Sequence, residues 1–341
     1  MFQNPNSGPK DMARSGPEDA PGCSDTTMLG AVDSPLRLGS MLADVVVVSF
    51  NSSHHLRSCV EPLHGIADIR LIVVDNASTD ASLATLRDLE GLISIAAVEN
   101  RGFASGCNIG WRAGSAPAVI FLNPDARIDE ASVRALARAL ESSQRVGAVA
   151  PRIVRTDGSL DFSLRRFPRL RSTYAQAVFL HRLLPRANWV DEVVRTSDDY
   201  EHPHTVDWVS GACVMVRRDV LEQIDGLDEG FFHYCEDTDL CRRIWNAGRE
   251  VWYEPRAAAI HEGGRSSPRD RLLPRLAASR VRYAHKHRRP AAALLERGGV
   301  ALGALSHALV GRGGRARRAS YVGAFRAALG PVRVRRGSQA N

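Results

Sequence analysis

Four consecutive β-branched residues, Val45-Val46-Val47-Val48, directly after Asp44, restrict this chain more than any other feature in it. An unbroken apolar run of strand formers needs both of its faces covered, as happens inside a parallel sheet flanked by helices. The pattern recurs. Leu71-Ile72-Val73-Val74, Ile93 to Val98, Ala118 to Leu122 and a short stretch around Val146 to Ala150 are further strand candidates. Segments of helical character lie between them: one running through Leu63, one carrying Leu83, Leu86 and Leu89, one carrying Val133, Leu136 and Leu140. This alternation predicts an α/β fold with a mostly parallel, Rossmann-like sheet flanked by helices. Ligands in such sheets sit off the carboxyl ends of the strands. The polar clusters after Val48, Val74, Val98 and Leu122 all fall on that edge, so four loops converge on one crevice.

Around this core the composition shifts twice. Residues 1–40 are rich in Gly, Pro, Ser and Asp without an apolar period, and read as a disordered leader. Residues 44–150 form the first half of a domain spanning 41–267. Its second half, 151–267, opens irregular and rich in Arg and Pro. A strand at Trp208 to Val216, a helix from about Glu236 to Ala247 and a strand at Val251 to Tyr253 follow. From Pro268 the residues turn to Arg, Ala and Leu, giving a basic helical tail over 268–341. Between Arg265 and Asn341 stand 18 Lys/Arg against two acids, a surplus of 16 positive charges. The other 27 basic and 36 acidic residues leave the rest of the chain at −9. An acidic body and a basic tail call for separate explanations.

Six cysteines show no CxxC pairing, which favours buried or incidental thiols over a metal or disulfide framework. No basic start followed by an apolar segment marks a signal peptide, so a reducing, cytoplasmic location is the expectation.

Several residues on the loop edge carry chemistry, each with a plainer reading beside it. Asp75 ends a buried strand, where an acid can accept hydrogen bonds from a ribose or a base; an Asx cap is the commoner fate of Asp in Asp-Asn-Ala-Ser. Glu99-Asn100-Arg101-Gly102-Phe103, with Gly106, Asn108 and Gly110, makes a Gly-rich strand-to-helix junction that lets backbone N–H groups approach a nucleotide, or lets a helix pack tightly. Asn123-Pro124-Asp125 places a carboxylate where Mg2+ or Mn2+ bridging a diphosphate could be held, or where a turn needs an Asp. Glu236, Asp237 and Asp239 put three carboxylates within four residues, after Phe231, Phe232 and Tyr234. Such acids repel unless protons or cations intervene, although a helix start also welcomes negative charge. His261 follows an apolar strand and precedes Gly263-Gly264, a place for a metal ligand or an ordinary surface histidine.

The order of these pieces is more specific than any one of them. Val-Ser-Phe-Asn, Val-Val-Asp-Asn-Ala-Ser-Thr-Asp, Glu-Asn-Arg-Gly-Phe-Ala-Ser-Gly-Cys-Asn, Leu-Asn-Pro-Asp, Trp-Val-Ser-Gly-Ala, Phe-x-Tyr-x-Glu-Asp-Thr-Asp-Leu-Cys-x-Arg and His-Glu-Gly-Gly-x-Ser follow one another over roughly Asp44 to Ser267. The series resembles family 2 glycosyltransferases of the GT-A fold, and within them the bacterial rhamnosyltransferase-like group. That resemblance implies nucleotide-sugar contacts at Ser49, Asn51, Asp75, Arg101, Gly102, Asn108 and Asn123. It implies a divalent metal, Mg2+ or Mn2+, on Asp125 and His261, and an acceptor wall at Trp208 and Gly211. Asp237, next to Glu236, matches the catalytic base. Asn123 stands where many members have a first Asp, a departure common in the rhamnosyltransferase-like group. The expected reaction is an inverting transfer of a hexose, L-rhamnose from dTDP-rhamnose being the first choice. The acceptor hydroxyl is expected on a glycan or lipid-linked glycan such as polyprenyl-diphosphate-linked N-acetylglucosamine, in cell-wall or surface polysaccharide synthesis. Galactofuranosyl, glucosyl and other hexosyl donors are the alternatives within the family.

The tail predicts two helices, about Leu272 to Lys286 and Ala291 to Val310, with Leu294, Leu302, Leu305 and Leu309 as one apolar stripe. Glu296, Arg297 and His307 interrupt the second, which favours a helix lying on anionic lipid over one that spans it. The enzyme would then sit peripherally on the inner face of the plasma membrane. A solvated bundle, packing a homodimer, is the competing use. No aromatic interleaving or nucleic-acid motif accompanies the charge, so nucleic acid is not an expected partner.

Overall fold

The valine run becomes β1 (Ala43–Ser49), buried along its whole length. In this computed structural model the described residues are 41–184, 187, 189–263, 269–310 and 314–332, and the leader lies outside them. The other strands are β2 (Ile69–Asp75), β3 (Ile93–Ala96), β4 (Ala118–Leu122), β5 (Ala126–Ile128), β6 (Val146–Val154), β7 (Leu164–Arg165), β8 (His204–Thr205), β9 (Trp208–Val209), β10 (Cys213–Arg217) and β11 (Glu250–His261). The helices are α1 (Leu56–Val60), α2 (Phe103–Ala113), α3 (Glu130–Glu141), α4 (Leu170–Ala177), α5 (Leu180–Leu183), α6 (Arg218–Gln223), α7 (Glu236–Asn246), α8 (Arg269–His287), α9 (Pro290–Val310) and α10 (Arg315–Leu329).

One large sheet runs β3-β2-β1-β4-β10-β6-β11-β5, with β8 added on β11, while β7 and β9 pair separately. β3, β2, β1 and β4 are parallel, as the sequence predicts. Val45 and Val47 enter one core and Val46 and Val48 the other, which is why no polar residue interrupts the run. On the first face lie α1 and α3, with Leu56, Leu136 and Leu140; on the second lies α2, with Ala104, Cys107 and Trp111.

The second half departs from the expected pattern. The strand read as Trp208 to Val216 is two strands, and β10 inserts antiparallel between β4 and β6. Ser210–Ala212 form the break, and this step between sheets carries Gly211 to the crevice edge. The predicted helix at Leu83 to Leu89 is only a 3-10 turn, Leu83–Leu86. β3 stops at Ala96, leaving Val98 fully exposed. Cys59, Cys107, Cys213, Cys235 and Cys241 are all free thiols.

Both predicted tail helices form, followed by α10. Their mutual contacts use small residues, Ala277 with Ala304 and Ala324, and Ala301 with Val281 and Ala328. α9 rests on α4, where Tyr174 Oη donates to Leu295 O at 2.9 Å. The stripe of Leu294, Leu302, Leu305 and Leu309 faces away from these contacts and is exposed. Among the described residues no helix is long and apolar enough to cross a membrane.

Candidate active site

The carboxyl ends of β1, β2 and β4 put their loops at one edge, and hydrogen bonds stitch them together. Asn51, in the left-handed region at φ 52°, donates its N–H to Ser78 Oγ at 2.9 Å and accepts from Thr79 N at 2.8 Å. Ser53 N donates to Asp80 Oδ2 at 3.1 Å. Asp75 is buried and accepts from Ser78 N at 3.0 Å, so the Asx cap anticipated as the plainer reading is present. Ser49 is fully buried, and its Oγ has no hydrogen-bond partner. Arg101 is half exposed, with Glu99 at 3.6 Å and Glu229 at 4.0 Å.

Gly102 has a conformational reason to be glycine. Its φ is 95°, and a Cβ there would stand 2.4 Å from Phe232 O. Phe103 N donates to that same carbonyl at 3.1 Å, so the start of α2 lies directly under the acid-bearing loop.

Asn108 was expected at the nucleotide, and its geometry points elsewhere. Its Nδ2 donates to Leu227 O at 2.8 Å and Glu229 Oε1 at 3.1 Å; its Oδ1 accepts from Leu227 N at 2.9 Å and Trp111 Nε1 at 3.1 Å. Every bonding position of the amide is used within the fold, and the side chain anchors the loop that leads to Glu236.

At the end of β4, Asp125 is buried, and its Oδ1 lies 3.2 Å from His261 Nε2. Topology makes the meeting: β5 pairs antiparallel with β11, and His261 stands opposite Ala126, the residue after Asp125. Glu262 N donates to Asp125 O at 3.1 Å and fixes the turn. Burial works against ionisation of Asp125, but the hydrogen bond and charge of His261 outweigh it and hold the carboxyl below its ordinary range. Asn123 Nδ2 lies 3.5 Å from the same ring nitrogen. Among the described residues no group of three or more His, Cys, Asp or Glu could hold a metal. An oxygen and a nitrogen about 3 Å apart suit adjacent positions on an octahedral ion, and Mg2+ or Mn2+ commonly completes its shell with substrate phosphates and water. The Asp125–His261 pair fits such an ion.

Glu236 and Asp237 begin α7 after Tyr234 and Cys235, both in the left-handed region at φ 70° and 65°. Non-glycine residues tolerate that conformation only where surrounding packing enforces it. Asp237 Oδ2 accepts from Gly211 N at 3.1 Å and Oδ1 from Thr238 N at 2.7 Å. Glu236 is buried and its Oε2 has no partner. Burial, with the Asp237 charge second, pushes Glu236 up to about 8. Burial also raises Asp237, opposed by the hydrogen bonds from Thr238 and Gly211. Only one of two electrostatically coupled carboxyls ionises easily, and it is the one with more donors. Of the two, Glu236 is the one that holds its proton and Asp237 the one drawn toward ionisation.

A pH dependence follows. The folded state holds the Glu236 proton up to about pH 8, whereas an unfolded Glu releases it near pH 4.5. The folded state therefore binds more protons across that window, and stability falls as pH rises through it, by up to about 1.4 kcal/mol per pH unit. Glu236→Gln mimics the protonated form. It should match the parent Tm near pH 4 and exceed it by a margin that grows from about pH 4.5 to about pH 8, and equal pH slopes for both proteins would refute the assignment.

The Asp125–His261 pair and Asp237 are joined through neighbouring backbone. Asn123 N donates to Ala212 O at 2.9 Å, and Gly211, the preceding residue, donates to Asp237. Trp208 opens the same segment, half-buried, with Nε1 donating to Arg166 O at 3.0 Å. Sequence reasoning missed the support beneath. Asp239 is fully buried with Arg243, Lys286 and His287 on its carboxylate, and Asp228 pairs with Arg282 and Lys286. The basic tail is thereby bolted to the acid-bearing loop. Only the body's excess of acids hinted at this.

A profile of glycosyl transferase family 2 matches residues 44–225. The chain is 32% identical over 241 residues to the N-acetylglucosaminyl-diphospho-decaprenol L-rhamnosyltransferase of Mycobacterium tuberculosis, covering 66% of this chain and 78% of the relative. It is 26% identical over 229 residues to the rhamnosyltransferase WbbL of Escherichia coli, covering 64% and 82%. The mannosyltransferase PcManGT from Pyrobaculum calidifontis, solved with GDP-Man and Mn2+, shares the fold at a TM-score of 0.52 and 16% identity, over 85% of this chain and 87% of that one.

Proposed function

The chain belongs to glycosyl transferase family 2 and is a glycosyltransferase of the GT-A fold, and from that premise we propose that it is an inverting, metal-dependent rhamnosyltransferase. Its donor would be dTDP-rhamnose and its acceptor a polyprenyl-diphosphate-linked N-acetylglucosamine. The observation that carries the mechanism is the short bonded path from Asp125 through Asn123, Ala212 and Gly211 to Asp237. On this reading it links the pair that would meet the diphosphate to the carboxylate that would meet the acceptor. Support for the sugar and acceptor comes from the tuberculosis relative, whose name states both.

Asp125 and His261 would hold the divalent cation that neutralises charge on the departing nucleoside diphosphate. Asp237 takes the proton of the acceptor hydroxyl as its oxygen bonds to the anomeric carbon and the bond to the diphosphate breaks. Glu236, neutral, lends no second nucleophile. One displacement inverts the anomeric centre.

Purified protein, a panel of nucleotide sugars and a short polyprenyl-diphosphate N-acetylglucosamine test this, with Mg2+ or Mn2+ and with EDTA. Metal-dependent transfer from dTDP-rhamnose, with inverted configuration by NMR, is expected. Transfer from another donor alone would replace rhamnose, and a retained configuration would overturn the single displacement.

The exposed α9 leucines bear on location. At 3.6 residues per turn Leu294, Leu295, Leu302, Leu305 and Leu309 share a face about 100° wide, and the exposed Arg315 and Arg318 start the next helix. Apolar side chains flanked by arginine suit the surface of anionic lipid. Leu302→Glu/Leu305→Glu should lose co-sedimentation with phosphatidylglycerol vesicles while keeping transfer to a detergent-dispersed acceptor. Undiminished sedimentation would exclude this face.

A further inference from the structure

We propose that Arg165 binds the diphosphate of the acceptor, holding a lipid-linked sugar with its hydroxyl at Asp237. The inference rests on the acceptor reading above and assigns a residue to it. β7 pairs antiparallel with β9 so that Arg165 stands opposite Trp208, while Leu164 and Val209, opposite each other, are buried. The Arg165 guanidinium consequently shares the half-open face of Trp208, 6.0 Å from the ring centre. Trp208 begins the segment whose Gly211 N–H holds Asp237, and Ser210 N donates back to Ser163 O at 3.1 Å. Base, indole and guanidinium thus succeed one another along one short stretch of paired backbone.

Arg165 differs from most arginines around it. Arg242 stacks on Phe167 and bonds Tyr283, Arg280 lies on Glu192, and Arg288 reaches Pro168 O and Glu296. Among the described residues no carboxylate lies within 4 Å of the Arg165 guanidinium. Burial raises the proton affinity of Asp237, the Thr238 and Gly211 hydrogen bonds lower it, and the Arg165 charge lowers it further. A half-buried guanidinium without a carboxylate, opposite Trp208 and close enough for its charge to act on Asp237, is arranged for a phosphate that arrives with the substrate. A sugar carrying its hydroxyl at Asp237 and its face on Trp208 would extend its anomeric phosphate toward Arg165.

Two readouts test this, one independent of turnover. Farnesyl diphosphate, titrated calorimetrically with the donor site filled by nucleoside diphosphate and Mg2+, should bind the parent protein. Arg165→Ala should weaken binding at least tenfold, and Arg165→Lys should restore some of it. In transfer assays Arg165→Ala should raise KM at least tenfold for the diphosphate-linked acceptor, with KM for an alkyl N-acetylglucosaminide and for the donor unchanged. Unaltered farnesyl diphosphate binding in Arg165→Ala overturns the proposal. So does an equal loss on both acceptors, which would mark Arg165 as a support for Trp208. A parent protein that transfers to neither acceptor, yet binds farnesyl diphosphate through Arg165, would instead sink the lipid-linked acceptor reading and leave the anion site standing.

Discussion

Asp237→Asn is expected to lower kcat by about 10²–10⁴-fold, the range lost when a positioned general base is removed, with donor affinity little changed. The size of the effect depends on whether Glu236 can take over. It is adjacent and buried, its Oε2 has no donor, and it holds its proton up to about pH 8. Asp237 is drawn toward ionisation by N–H groups of Gly211 and Thr238. Asn keeps the volume and one acceptor oxygen, so a Tm within a few degrees of the parent is expected. Steady-state kinetics beside donor binding decide the matter. A kcat within fivefold of the parent would show that the base is elsewhere. In the parent enzyme the acid limb of kcat/KM should lie above the ordinary carboxylate range, because burial raises Asp237.

How much of this was legible in the residues differs sharply between the two halves of the chain. β1, β2 and β4 declare themselves, because the middle of a strand buried on both faces is an unbroken apolar run and its neighbours are close in sequence. Asp125, His261 and Asp237 were legible only through the order of motifs. Nothing in the residues around His261 shows that β5 will pair with β11 and set its ring 3.2 Å from Asp125. The insertion of β10 between β4 and β6 was hidden for the same reason. A local apolar run announces a strand but not its partner or direction, and the glycine break at 211 reads as strand interior. Asn108 lies in a loop-to-helix segment fit for a nucleotide, while its bonds run to Leu227 and Glu229 of the acid-bearing loop and to Trp111 of its own helix.

The basic tail is where sequence and structure differ most in emphasis. Its charge suggests solvent, lipid or another polyanion, yet the α8 cations are largely matched inside the fold. Arg280 lies against Glu192 and Glu296, Arg282 and Lys286 against Asp228, and Lys286 and His287 against Asp239. Part of the body's acidic surplus, Glu192, Asp228 and Asp239, thus meets part of the tail's basic surplus across a single interface. What remains for a lipid surface is the outer leucine face of α9 and the start of α10.

Asp239→Asn should therefore be the most destabilising single change here that leaves volume constant. The carboxylate is fully buried, with His287 Nε2 and Arg243 Nε each at 2.7 Å and Lys286 Nζ at 2.8 Å. Removing its charge leaves these groups around a neutral amide, and breaking a buried ion pair from one side typically costs about 3–5 kcal/mol. Its own carboxyl is held far below the ordinary range: burial opposes ionisation, but the His287 hydrogen bond and the charges of Arg243 and Lys286 prevail. Denaturant titration should show that loss, with kcat falling in the fraction still folded, since Asp239 lies two residues beyond the base in the same helical turn. Arg243 also holds Ile224 O and Gly226 O, at 2.7 and 2.6 Å, so the disturbance should reach the loop before α7. Removing residues 268–341 should act in the same sense and more strongly, stripping Asp228 and Asp239 of their tail cations at once and leaving residues 41–267 unable to hold the base in place. A loss below about 1 kcal/mol in Asp239→Asn, outside that range, would mean that the tail merely rests against the catalytic body. A loss of the expected size together with a fallen kcat would make the tail a structural component of the active site.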